Sequence, residues 1–121
     1  MKVRIKGNSI RYRLTKSEVN QFCSNGLITD SVNFGGNILT YSLAAYADDS
    51  MIACFENKNI TIKVPENYRK EWLQDHKIGF QNDMILGDGN ILNILIEKDF
   101  VCLDERDEDE SDNYPNPKAN N

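Results

Sequence analysis

Apolar and polar residues alternate strictly at the start of the chain. Val3 and Ile5 interleave with Lys2, Arg4 and Lys6, and Ile10, Tyr12 and Leu14 interleave with Arg11 and Arg13. A period of two marks a strand with one buried face. Gly7-Asn8 between the two runs is a two-residue hairpin signal with glycine where a type II′ turn requires it. The period then changes. Thr15-Lys16-Ser17-Glu18 fits a capping box, and Val19, Phe22 and Cys23 follow at helical spacing up to Asn25-Gly26, predicting a first helix over about 16–24.

Alternation resumes weakly over 28–34 and strongly over 38–46, where Leu39, Tyr41 and Leu43 share a face. Segments 51–56 and 59–64 flank Asn57-Lys58 as a second hairpin. Pro65 suits a first helical turn, and Tyr68 with Trp72 and Leu73 predicts a second helix over 65–75. Ile78 and Phe80 open a short strand, Gly87-Asp88-Gly89-Asn90 is a turn, and 91–101 predicts the last strand.

These elements predict an α+β fold. About seven strands form a mainly antiparallel curved sheet or partly open barrel, with two short helices plugging its ends, because most connections are too short for parallel crossovers. The order strand-strand-helix occurs near both ends without a convincing sequence repeat. After Leu103 the pattern stops, so a domain over 1–103 is followed by an acidic, Pro/Asn-rich tail over 104–121.

Charge sharpens this division. Residues 1–103 hold 12 Lys/Arg and 12 Asp/Glu, and the tail carries the whole net charge of −5. With Gly7-Asn8 as the turn, Arg4 faces Arg11 and Lys2 faces Arg13 across the first hairpin. Like charges directly opposite are destabilising in a sheet, so an anion is expected nearby. It can come from Glu97 and Asp99, from the tail, or from outside. The candidate binding residues are Lys2, Arg4, Lys6, Arg11 and Arg13, and the candidate tail contacts are Asp107, Glu108, Asp109, Glu110 and Asp112.

Chemistry-bearing motifs are absent. Cys23, Cys54 and Cys102 are widely spaced and odd in number, which excludes the usual disulfide or zinc frameworks. Asp104, Asp107, Asp109 and Asp112 lack the glycine and terminal glutamate of a calcium loop. No cofactor is expected, and the tail is read as a solvated charge run. His76 is the sole histidine, with no nucleophile signature beside it. No apolar run reaches membrane-spanning length and no export signal opens the chain, so a cytoplasmic protein is expected.

The segments Met1–Leu14, Glu97–Leu103 and Tyr114-Pro115-Asn116-Pro117, with Phe55-Glu56-Asn57 ahead of Val64-Pro65, resemble a family of short bacterial proteins of unknown function. The resemblance implies a bacterial, full-length, single-domain protein and carries no activity. The expected function is thus a non-enzymatic binding or regulatory domain whose basic hairpin face its own acidic tail covers. An acidic protein or a phosphate-bearing ligand is the expected partner, since a neutral body argues against nucleic acid. The rival is a small or metal-dependent enzyme using Asp99, Asp104 and His76.

Overall fold

A computed structural model describes residues 1–101 and 109–116. Its strands are β1 (Lys2–Lys6), β2 (Ser9–Leu14), β3 (Leu27–Asn33), β4 (Ile38–Tyr46), β5 (Ile52–Glu56), β6 (Asn59–Pro65), β7 (Gly79–Ile85) and β8 (Ile91–Lys98). Helix α1 (Lys16–Asn25) follows β2, and α2 (Tyr68–Trp72) follows β6. The strands form two four-stranded sheets, ordered β1-β2-β8-β7 (sheet A) and β3-β4-β6-β5 (sheet B). The fold is therefore α+β with two open mixed sheets, which corrects the expected single antiparallel sheet or partly open barrel of about seven strands.

The correction has a simple physical origin. Short turns do force antiparallel pairing, and all four hairpins obey this. Each sheet, however, joins two hairpins through their inner strands, and those inner pairs, β2–β8 and β4–β6, are parallel. The chain from β4 to β6 runs through β5, and the chain from β2 to β8 runs through all of sheet B, so no tight connection constrains either pair.

The order strand-strand-helix-strand-strand occurs twice, over β1–β4 and β5–β8. Exchanging the two halves turns the order of sheet A into that of sheet B read backwards. Register follows the exchange. Tyr12 pairs Ile96 across the parallel seam of sheet A, and Ile62 pairs Leu43 across that of sheet B. All four side chains are fully buried or within a few per cent of it.

Local chemistry sets the element ends. Gly7 takes a positive φ of 55° in the first turn, and Asn57 and Lys58 both take positive φ in the third, as a type I′ turn needs. Glu18 reaches back to the Thr15 amide at 2.9 Å, completing the capping interaction of α1. Gly26 ends α1 in the left-handed region, its amide donating to the Phe22 carbonyl. Pro65 closes β6 instead of opening a helix, so α2 is shorter than its apolar spacing implies.

The inner faces of the sheets meet in one core with α1 and α2. Tyr12 of sheet A packs edge-on against Tyr41 of sheet B, and its hydroxyl donates to the Ile60 carbonyl at 3.2 Å. Trp72 donates its indole N–H to the Ile78 carbonyl, so its polar edge is satisfied while the ring is buried. No helix among the described residues is long and apolar enough to cross a membrane.

Candidate functional site: the outer face of sheet A

Alternation along the strands puts every basic residue of the first hairpin on one side of sheet A. The registers arrange that side in rows. One row runs Lys2, Arg13, Glu97, Gly79; the next Arg4, Arg11, Leu95, Gln81; the last Lys6, Ser9, Asn93, Asp83. The cross-strand pairs Arg4–Arg11 and Lys2–Arg13 expected from the sequence are present.

Carboxylates among the described residues serve only part of this face. Arg13 Nε donates to Glu97 Oε1 at 2.7 Å, and Arg11 Nη1 approaches the same oxygen at 3.4 Å. Lys2 Nζ lies 2.9 Å from Asp99 Oδ2, and Asp99 is 2 % exposed. Among the described residues Arg4 and Lys6 form no ion pair, and the buried Nε of Arg11 has no hydrogen-bond partner. Burial holds the Arg11 guanidinium below its ordinary pKa, with Arg13 and Arg4 pushing the same way against Glu97. A shallow hollow of about 250 Å³ lies here, lined by Arg4, Lys6, Ser9, Arg11, Asn93 and Leu95.

The described part of the tail engages a different element. The Lys16 amide donates to the Asp112 carbonyl at 3.0 Å, and the Ser17 amide and hydroxyl donate to the Asp112 carboxylate at 3.3 and 2.5 Å. Asp112 thus supplies an acceptor to the first turn of α1, where amides lack helical partners. Tyr114 donates its amide to the Asp99 carbonyl and accepts from the Val101 amide, and Asn116 donates to the Val101 carbonyl. Asp109 accepts from the Ser111 amide. Of the other sequence candidates, Glu110 lies within this returning segment, and Asp107 and Glu108 lie outside the described residues.

Two of the three residues of the rival enzyme, His76 and Asp99, are described. His76 is exposed beyond α2, Asp99 is buried against Lys2, and Asp104 lies outside the described residues. Among the described residues no group of three His, Cys, Asp or Glu could hold a metal ion.

A cavity of about 610 Å³ lies at the helical end between α1, α2 and the returning segment. Lys98, 4 % exposed, donates Nζ to the Gln74 carbonyl at 3.0 Å and sits 5.0 Å from the centre of the Tyr114 ring. Burial lowers the Lys98 amine, opposed by Asp75 and Cys23, and burial pushes the Tyr114 hydroxyl up to about 12. Lys98 was legible in part, since it continues the inner-face series Leu92, Ile94, Ile96 on β8. The Asp112 contact had no local signal, because its partners lie 95 residues away.

The chain belongs to a family of unknown function, DUF7009, whose family model matches residues 1–118. No curated protein and no solved structure matches it.

Proposed function

We propose that this protein is a binding module for a phosphate- or carboxylate-bearing ligand, held on the outer face of sheet A. Arg4, Lys6 and Arg11 are the contact residues, with Lys2 and Arg13 at the border. One observation carries this reading. Arg4 stands directly opposite Arg11, and the nearest ion-paired carboxylate, Glu97, is shared between Arg11 and Arg13. A bound anion removes the cross-strand repulsion and gives the unpartnered Arg11 Nε an acceptor.

The acidic run Asp104, Glu105, Asp107 and Glu108 is the proposed internal competitor. Both flanks support this: the Val101 amide donates to the carbonyl of Tyr114, whose own amide donates to the Asp99 carbonyl, and Asp109 lines a hollow together with Lys2 and Asp99. Truncation after residue 103 would also remove the Asp112 contact and the packing of Tyr114. The discriminating variant therefore changes those four acids to Asn or Gln and keeps 109–116.

Calorimetric titration with pyrophosphate tests both parts. The four-acid variant is expected to bind more tightly than the natural chain, with the difference shrinking as salt rises. Arg4→Gln is expected to weaken binding about tenfold, the loss of one charge-assisted hydrogen bond. Absence of pyrophosphate binding in both the natural chain and the four-acid variant overturns the proposal.

A further inference from the structure

We infer that the ligand is a single-chain anionic amphiphile, its alkyl chain seated between the two sheets and its anionic head held by Lys6 and Arg4. This rests on the anion-binding reading of sheet A and names the ligand class.

The helices close one end of the molecule. All four hairpin turns lie at the other, because each parallel seam starts beside a turn: Ser9 pairs Asn93, and Thr40 pairs Asn59. Between these turns the sheets leave an apolar cleft of about 440 Å³. That volume falls within the range of small-molecule sites. Its walls are Ile5, Ile10 and Leu92 from sheet A and Leu39, Phe55 and Ile60 from sheet B. These are exchange partners in the doubled topology: Ile5 with Phe55, Ile10 with Ile60, Leu92 with Leu39.

Two features single this cleft out. Ile5 is 64 % and Phe55 72 % exposed at its lips. Apolar side chains gathered at one end of a molecule mark a surface that is covered in use. The second feature is charge. Strand β1 is an edge strand, and its side chains alternate between the two sides of the sheet. Ile5 therefore borders the cleft while its neighbours Arg4 and Lys6 stand just over the rim, in the basic hollow. Ser9 and Ile10 line both the hollow and the cleft, so the wall between them is one strand thick. A neutral apolar ligand leaves Arg4 and Lys6 unpaired, and a bare anion leaves Ile5 and Phe55 exposed. An amphiphile satisfies both.

Calorimetry with octyl phosphate below its micelle concentration, inorganic phosphate and 1-octanol tests the inference. Octyl phosphate is expected to bind at least about tenfold more tightly than either of the others, the equivalent of burying roughly two methylenes. Phe55→Ser is expected to weaken octyl phosphate and octanol but leave phosphate unchanged; Lys6→Glu is expected to weaken octyl phosphate and phosphate but leave octanol unchanged. Both positions are exposed hairpin residues, so each variant retains its core. If octyl phosphate binds no better than phosphate, the cleft takes no chain and this inference fails while anion binding stands. If neither phosphate compound binds, both fall. Octanol binding as well as octyl phosphate removes the head contact and overturns the inference. A dimer in sedimentation that Phe55→Ser dissociates, without octyl phosphate binding, gives the cleft to a second copy and overturns it too.

Discussion

Phe22 of α1 and Trp72 of α2 stand fifty residues apart in the chain and meet edge to face, 6.1 Å between ring centroids. The same spacing relates Tyr12 to Ile62 and Leu14 to Val64, and all six are buried. The doubled topology thus places equivalent residues of the two halves in one core. Between residues 2–23 and 52–73 only Ile10 and Ile60 are identical, so the repeat survives in burial and register and not in residue identity.

The aromatic pair predicts a coupled loss. Trp72→Ala and Phe22→Ala are each expected to destabilise by about 3–5 kcal/mol through lost burial and residual cavity. The double variant is expected to cost less than the sum by about 1 kcal/mol, the worth of the edge-to-face contact. Urea unfolding followed by circular dichroism measures all three. Simple additivity would mean that the rings contribute only as separate pieces of buried surface.

Gly79 marks a break in the exchange, since its counterpart at the start of β3 is Leu27. A Cβ at Gly79 would lie 2.2 Å from the Ile96 carbonyl oxygen and 2.9 Å from Glu97 Cα. Those are backbone atoms of the neighbouring strand, so relief requires the sheet to shift. Gly79→Ala is expected to destabilise by about 2 kcal/mol. Gly36→Ala, whose Cβ meets nothing within 4 Å, serves as the control and is expected to be close to neutral. Equal effects at the two sites would show that the β7–β8 ladder accommodates a methyl group.

Much of this fold was legible because it is local. Alternation gave the inward faces of the first hairpin, β4, β6 and β8, though it left β7 as a short piece at Ile78 and Phe80 and ran β8 on to Val101, and Gly7-Asn8 fixed the register that sets Arg4 against Arg11. Pairing between hairpins was not legible, since the parallel seams join residues such as Tyr12 and Ile96 that share no turn. The first hairpin's cations were read correctly as one face, but their division into neutralised and free members required knowing that β8 lies beside β2. Glu97 reaches Arg13 only because of that placement. The apolar cleft was hidden for the same reason: Ile5 read as an inward strand residue and Phe55 only as part of the second hairpin, and their shared end of the molecule is what leaves them uncovered.

Asp112 predicts a pH dependence. Hydrogen bonds from Ser17 and Thr15 hold its carboxyl below the usual aspartate range. The folded state therefore binds its proton less readily than the unfolded state. The contribution to stability is fully present above the ordinary aspartate pKa and is lost as pH falls through the lowered value. Asp112→Asn is expected to lower Tm at pH 7, and the gap to the natural chain is expected to narrow on acidification. A gap that stays constant from neutral to acid pH would mean that the carboxylate charge plays no part in holding the returning segment to α1.

Arg4 and Glu97 predict opposite signs from one patch of charge. Arg4 faces Arg11 and forms no ion pair among the described residues, so without ligand it acts on the sheet mainly through repulsion. Arg4→Thr removes that repulsion and adds a residue suited to strands. It is expected to stabilise by about 0.5 kcal/mol at low salt, less at high salt. Glu97→Gln leaves Arg11 and Arg13 without their shared carboxylate and is expected to destabilise by about 1 kcal/mol. The two changes are coupled through Arg11. With Glu97 gone, no carboxylate ion-paired to Arg11 among the described residues offsets the Arg4–Arg11 repulsion, so Arg4→Thr should gain more in the Glu97→Gln background than in the natural chain. Thermal unfolding of the four proteins at two salt concentrations measures the coupling. An equal or absent gain in both backgrounds would show that solvent already screens the pair, and would remove the electrostatic reason for an anion to bind there.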